Sequence, residues 1–397
     1  MYKPRIVQQK KESLKKKIVT IVGARPQIIK SSALNRAILG PYKERLEEII
    51  VHTGQHYDEN MSQVFFEEMK IPRPNYNLNV GSGNHGEQTA KMITGLEDIL
   101  LKEKPAAVIV YGDTNSTIAG ALAAVKIHIP VVHIEAGLRS YNKSMPEEIN
   151  RIACDHMSTL LFTPTTTGLT NLANEGFSMD TDSLANVDSP HVYHCGDIMY
   201  DNSIYFAGIS DEKSAVMDAL GLVADSFILC TVHRDSNTDY KENMESIFSA
   251  LIGIAEQTGL KIILPIHPRT KSKMESQLSP VLFNNVMNSS MVEIIPPAGF
   301  LDIIALEKNA RLIITDSGGL QKESFFFCKP CVILRPQTEW VEIVENGNAI
   351  VADADHERIL NACHKLLSKK DFSYPNIFGD GKAAEFICEK LQNQLNP

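Results

Sequence analysis

Twelve short, almost wholly apolar runs rich in Val and Ile punctuate this 397-residue chain, with helix-patterned stretches between them. In the first half they are Ile18–Val22, Ile49–His52, Ala107–Tyr111, Val131–Ile134, Leu160–Thr163 and Val192–Cys195. In the second half they are Ile228–Val232, Ile262–Ile266, Val292–Ile295, Leu312–Thr315, Val332–Leu334 and Ala349–Val351. A strand that is apolar throughout, rather than at alternate positions, must be covered on both faces, which implies parallel sheets with helices on either side. Two sets of six predict an α/β chain of two doubly wound domains. The pattern breaks between Asp201 and Asp225, where Gly208, Ser210 and a polar helix intervene. We therefore expect a basic, flexible tail over 1–16, an N-terminal domain over 17–203 and a C-terminal domain over 204–375. A closing helix within 376–397 is free to pack on either domain, the N-terminal one included.

Ligands of parallel sheets bind beyond the carboxyl ends of the strands, so the residues at those ends form the functional list. The first half offers Gly23-Ala-Arg25-Pro-Gln27 with Lys30 a turn later, then His52-Thr-Gly-Gln55-His56, Gly112-Asp113-Thr114-Asn115 and Glu135-Ala-Gly-Leu-Arg139. The second offers His233-Arg234, His267-Pro-Arg269, Asp316-Ser-Gly-Gly319 and Arg335. Thr114 and Asn115 are well explained as helix caps. So many ions ending strands in both halves are not, and they predict a cleft between the domains.

Among these ends, Thr315-Asp316-Ser317-Gly318-Gly319 is the most informative. A strand that turns into a helix through Ser-Gly-Gly presents unpaired N–H groups to an anion, and the glycines let a diphosphate come close. Glu323, one turn beyond Gly319 on the same face, suits a pair of ribose hydroxyls. A nucleoside diphosphate is the expected ligand. Asp113, Glu135 and the pair Glu147-Glu148 follow successive strands of one domain. Neighbouring carboxylates raise one another's pKa and can divide proton removal from proton return. His233 and Arg234 suit a leaving diphosphate. Glu147 and Glu148 also fit a solvated helix start after Pro146.

Other classes are less well served. A net charge of −9 argues against nucleic-acid or anionic-membrane partners. No run reaches the roughly 18 apolar residues of a membrane span. Seven scattered cysteines suit a reducing cytoplasm, and Cys328-Lys-Pro-Cys331, lacking a second pair, reads as structural rather than zinc-binding. Gly81-Ser-Gly83-Asn-His-Gly86 matches GxGxxG literally but follows a polar run, so a mobile loop over the cleft is expected there, not a dinucleotide cradle.

These residues resemble the non-hydrolysing UDP-N-acetylglucosamine 2-epimerase family, two Rossmann-like domains facing a cleft in the glycosyltransferase-B architecture. The resemblance runs from about Lys17 to about Leu367, through Gly23-Ala-Arg25-Pro, Gly112-Asp-Thr, His133-Ile-Glu135-Ala-Gly-Leu-Arg139, Pro146-Glu-Glu-Ile-Asn-Arg151, Asp316-Ser-Gly-Gly-Leu-Gln321 and Thr338-Glu339. It implies that Asp113, Glu135, Glu147 and His233 are catalytic and that Arg25, Ser317, Gly318, Gly319 and Glu323 hold UDP. Lys30, Arg139, Arg234, His267, Phe300 and Arg335 complete the candidate substrate-binding set. The implied chemistry is elimination of UDP across C1–C2 and its return with a proton on C2, needing no organic cofactor or metal. A cytoplasmic homodimer is implied as well. The chain departs from the family pattern at Gln27 (commonly Glu), Ser236 (commonly Glu) and Trp340 (commonly Arg). Gly-Ala-Arg-Pro-Gln, the 84–88 loop, Leu306–Ala310 and Thr338–Trp340 resemble the subgroup acting on UDP-2,3-diacetamido-2,3-dideoxyglucuronate. Trp340 fits an altered sugar, and Arg139 and Lys143 are candidates for its C6 carboxylate. A hydrolysing epimerase, a glycosyltransferase and a non-catalytic sensor are the competing readings.

Overall fold

A computed structural model describes residues 15–54, 72–181, 183–266 and 268–395. The chain divides into two compact units, one comprising the residues up to Met199 together with Gly379 onward, the other Tyr200–Phe378. Among the described residues the first unit holds β1 (Lys16–Val22), β2 (Leu46–His52), β3 (Tyr76–Asn77), β4 (Ala107–Tyr111), β5 (Val131–Ile134), β6 (Leu160–Thr163) and β7 (His191–His194). The second holds β8 (Phe227–Thr231), β9 (Lys261–Pro265), β10 (Val292–Ile295), β11 (Leu312–Thr315), β12 (Cys331–Ile333) and β13 (Ala349–Val351).

Both sheets are parallel, in the orders β3-β2-β1-β4-β5-β6-β7 and β10-β9-β8-β11-β12-β13. The order reverses between β1 and β4 in one unit and between β8 and β11 in the other. Loops leaving a strand pair at such a switch point diverge to opposite faces of the sheet and open a crevice. The loops concerned are Gly23–Gln27 and Gly112–Asn115 in the first unit, and His233–Arg234 and Asp316–Gly319 in the second.

The strands form for the reason their composition implied. β4 is buried at all five residues, and residues of β8 and β11 share one buried core with Met244, Ile247, Phe248 and Leu251 of the helix Lys241–Thr258. Each such aliphatic side chain contributes about 1.5–3 kcal/mol on burial. The first sheet has one strand more than the six expected. β3 is two residues long and pairs only as Val51↔Tyr76 and His52↔Asn77 at the sheet edge, too short and polar to show a strand pattern.

The tail expected over 1–16 lies, up to residue 14, outside the described residues. Lys16, assigned to it, begins β1 instead. Its ammonium binds the carbonyls of Gln392 (2.7 Å) and Leu395 at the end of the helix Ala383–Gln394, where a cation meets unpaired carbonyls. That helix buries Ala384, Ile387, Cys388 and Leu391 as a single stripe and packs on the helix Arg25–Leu39 of the first unit. The Gly81–Gly86 stretch is not a detached loop. Gly81 N–H donates to Gly54 O (3.0 Å), Gln88 Nε2 donates to Gly81 O (2.8 Å), and His85 opens the helix His85–Glu103. No helix of the described residues is long and apolar enough to cross a membrane.

Candidate active site

In the first unit, Gln27 fastens the two loops at the switch point. Its Oε1 accepts the N–H groups of Gly23 (2.9 Å) and Ala24 (3.2 Å), and its Nε2 donates to Tyr111 O (2.9 Å) and Thr117 Oγ1 (3.0 Å). An amide can do both, whereas a carboxylate cannot donate. Thr117 already gives its hydroxyl hydrogen to Tyr111 O (2.7 Å). Gln27→Glu is therefore expected to cost about 1–3 kcal/mol at neutral pH, the penalty for opposing buried acceptors. Burial raises the folded-state pKa of the new carboxyl above its unfolded value, so the loss shrinks as pH falls below that raised value. Thermal melts of both proteins from about pH 4 to 8, which runs from the ordinary glutamate value of about 4.3 to well above it, check this. A pH-independent difference would contradict it.

The carboxylates stand beyond this stitch. Glu135 follows β5 with φ +71°, a left-handed conformation uncommon for a non-glycine residue. The N–H groups of Glu135 and Ala136 both donate to Phe162 O at 3.0 Å, which holds the backbone there. Its side chain pairs with Lys30, both nearly buried. Gly112, at φ +62°, makes room for them, because a Cβ there would come within 3.2 Å of Glu135 Oε2 and 3.5 Å of Lys30 Nζ. Asp113 pairs with Arg151 of the helix Pro146–Met157, and Asn150 Nδ2 donates to its carbonyl (2.9 Å). Burial pushes the Asp113 carboxyl up from its usual pKa, Arg151 opposes this, and Glu135 reinforces it. A carboxyl that keeps its proton to higher pH is suited to giving one back.

The pair Glu147-Glu148 separates into two roles. Glu148 is 1 % exposed and accepts from Ser140 N (2.9 Å), Ser140 Oγ (2.9 Å), Tyr141 N (3.0 Å) and Arg151 (3.0 Å), clamping the loop that bears the exposed Lys143. Glu147 is exposed at the helix start and close enough to Asp113 to raise its pKa. Arg25 is the exposed first residue of its helix. Arg139, expected to meet the sugar, is committed elsewhere. Its buried guanidinium binds both Glu175 oxygens (2.6 and 2.7 Å), Asp155 (2.8 Å) and Leu138 O (2.7 Å).

In the second unit, the fully buried Asp316 organises the loop after β8. It accepts the backbone N–H of His233 (3.0 Å) and Arg234 (3.0 Å) and the amide of Asn237 (3.0 Å), and lies 3.1 Å from His233 Nδ1. A carboxylate at Nδ1 fixes that nitrogen as the donor and leaves Nε2 of the half-exposed ring for chemistry. Asn237 also donates to Leu334 O (2.9 Å), tying in the end of β12.

Beside it the helix Gly318–Phe326 begins. Ser317, at its N-cap, makes no side-chain cap hydrogen bond. A Cβ added to Gly318 or Gly319 would meet nothing closer than 3.7 Å and 3.8 Å, so packing within the protein does not require glycine at either position. A ligand approaching the first-turn N–H groups would. Trp340 does not stand out toward a sugar. It is 6 % exposed and donates Nε1–H to Gly318 O (3.0 Å), with Lys322 Nζ 4.1 Å over its ring and Phe378 against its edge, so it braces the glycine turn from beneath. Arg335 is likewise held, through two 2.8 Å bonds to Glu339, and Arg234 lies near enough to help lower the Glu339 pKa. Glu323 faces the buried Glu307, whose pKa burial and the Glu323 charge push well upward. Phe300 is a core aromatic packed edge-on to Phe206 at 5.1 Å. His267, Gln55 and His56 lie outside the described residues.

The structure thus gathers Lys30, Asp113, Glu135 and Glu147 in one unit, and His233, Arg234, Ser317, Gly318, Gly319 and Glu323 in the other. Gln27, Arg151 and Asp316 were not singled out as site residues, although each stands in a quoted motif. Arg151 follows Glu147 by four residues and Glu148 by three, spacing that puts it on their helix face.

Residues 42–392 match the UDP-N-acetylglucosamine 2-epimerase family. A Methanococcus maripaludis protein described as a UDP-N-acetylglucosamine 2-epimerase homolog is 47% identical over 378 residues, 95% of this chain and 99% of its own. The UDP-2,3-diacetamido-2,3-dideoxy-D-glucuronate 2-epimerase of Pseudomonas aeruginosa is 46% identical over 376 residues, 94% of this chain and 99% of its own. The crystal structure of the Methanocaldococcus jannaschii UDP-GlcNAc 2-epimerase with UDP-GlcNAc and UDP is similar too. It superposes with a TM-score of 0.81 at 42% identity, covering 95% of this chain and 99% of that one.

Proposed function

Because the chain belongs to the UDP-N-acetylglucosamine 2-epimerase family, and is thus a UDP-sugar 2-epimerase, we propose UDP-2,3-diacetamido-2,3-dideoxyglucuronate as its substrate. The product is the manno epimer, a precursor for surface polysaccharide. The Pseudomonas aeruginosa relative that acts on this sugar, 46% identical across nearly the whole chain, supports the choice.

The observation that carries the mechanism is the pair of glycines opening the helix at Gly318, which no contact inside the protein requires. The first-turn N–H groups and the helix dipole hold the diphosphate, and Glu323 takes the ribose hydroxyls. Arg25 belongs to the same proposed UDP-binding set. A carboxylate of the Asp113, Glu135 and Glu147 set takes the C2 proton. The C1–O bond breaks, its electron pair leaves with UDP, and a C1=C2 double bond remains. His233, oriented by Asp316, and Arg234 stabilise the departing diphosphate. UDP then re-adds to C1 while a second carboxyl delivers a proton to the opposite face of C2.

Separate incubations with the uronate and with UDP-N-acetylglucosamine, followed by ion-exchange chromatography, test the substrate. We expect the manno product from the uronate with kcat/KM at least about tenfold higher, the scale of discrimination one pocket supplies. A preference for UDP-N-acetylglucosamine would keep the family and overturn the uronate assignment. Release of free sugar and UDP would place the protein on the hydrolysing branch.

A further inference from the structure

His133 lies in β5, two residues before Glu135, and is fully buried. Its Nε2 is 2.8 Å from Gly112 O and its Nδ1 is 2.6 Å from Asp155 Oδ1. A carbonyl only accepts, so Nε2 carries hydrogen. Asp155 receives the Gly137 N–H (3.1 Å) and the Arg139 guanidinium (2.8 Å) on its other oxygen, which holds it as a carboxylate and makes Nδ1 a donor too. The ring is therefore an imidazolium. Burial opposes that charge, but Cys154 and the Asp155 carboxylate carry the pKa of His133 well above its ordinary value. Burial would raise the Asp155 pKa, and the charges of His133 and Arg139 hold it down.

Four buried or half-buried charges, His133, Asp155, Arg139 and Glu175, are a weak source of stability, since desolvation cancels much of their attraction. What they do provide is placement. Gly112 immediately precedes Asp113, Gly137 follows Glu135 by two residues, and Asp155 belongs to the helix that begins with Glu147 in its first turn. Every segment bearing a carboxylate has at least one hydrogen bond into this network.

We propose that His133 is a positioning residue of the active site, clamped between Gly112 and Asp155 so that Asp113, Glu135 and Glu147 keep their mutual placement. The inference rests on the catalytic reading of those carboxylates. His133 itself touches no substrate; its cationic ring acts through the Gly112 carbonyl and the Asp155 carboxylate.

In His133→Gln the side-chain amide keeps a donor for Gly112 O but loses the charge and the second bond. We expect kcat to fall about 10- to 100-fold, the usual cost of removing a group that orients a reacting one. KM and the UDP dissociation constant should stay within about threefold, because His133 bonds to Gly112 and Asp155 and to none of the groups proposed to hold UDP. A folded variant with unchanged kcat overturns the proposal. So does a loss of UDP affinity equal to the loss of kcat, which marks general damage. Nitrogen NMR of the histidine-labelled unaltered protein gives a second reading if the variant does not fold. Both His133 ring nitrogens should remain protonated from about pH 6 to 9, beyond the ordinary histidine range, and a neutral ring overturns the proposal. Turnover of the unaltered protein in the same assay separates the two claims. If it epimerises while His133→Gln matches it, only the positioning role falls; if it does not epimerise, the functional reading falls first.

Discussion

Replacing Asp113 by Asn, or Glu135 by Gln, lowers kcat by about 10²–10⁴ while leaving UDP binding intact. Both substitutions keep size and shape, and remove the ability to exchange a proton together with the charge that pairs with Arg151 or Lys30. Asp113 holds its proton more tightly than an ordinary carboxyl because it is buried and faces Glu135, and Arg151 keeps it from becoming inert. Glu135 is held by Lys30 on a backbone that two hydrogen bonds to Phe162 O keep in a left-handed conformation. Geometry of that kind is retained at functional sites because it aims a side chain. Steady-state kinetics with titration calorimetry of UDP checks both halves of the expectation. Turnover within about threefold of the unaltered enzyme in either variant would remove that residue from the proton-transfer set, since a positioned acid or base contributes far more.

The second large effect separates binding from folding by sign. Gly319→Ala adds a methyl group that meets only the Glu323 and Ser317 side chains, at 3.8 Å each, in the first turn of a helix. Alanine there should leave the melting temperature unchanged or raise it, since replacing a helical glycine contributes about 0.5–1 kcal/mol. The same methyl group stands where the diphosphate must approach the N–H groups. Losing one charge-assisted hydrogen bond costs about 1.5–3 kcal/mol, or about 10- to 150-fold in UDP affinity. A variant that is at least as stable yet binds UDP poorly would assign the glycine to the ligand. If affinity is unchanged, the diphosphate lies elsewhere.

The strands, and the rim on which the candidate groups stand, were legible because a fully apolar run has few alternatives in a chain of this size, and strand ends in a parallel sheet share one rim. β3 was not legible, because two edge residues bury too little to leave a pattern. Side-chain commitment was the harder quantity. Arg139 follows β5 like a ligand-binding cation, but its partners Asp155 and Glu175 lie 16 and 36 residues further along the chain, and nothing local marks them. Trp340, which stands where the family commonly has Arg and by sequence fits an altered sugar, is buried beneath the glycine turn. Any consequence it has for the sugar must pass through the position of Gly318. Gln27 shows the reverse case. It looked like a lost charge, and its amide is what the site needs to join two loops with both donors and acceptors.

The central claim is that epimerisation passes through loss of the C2 proton as UDP leaves. Proton NMR of the reaction run in deuterium oxide tests it most directly. The account predicts a manno UDP-sugar carrying deuterium at C2 from its first appearance, with the gluco form gaining label as equilibrium is approached. A manno product that keeps its original C2 proton would contradict the account, because no carboxylate could then have taken that proton and returned one from solvent.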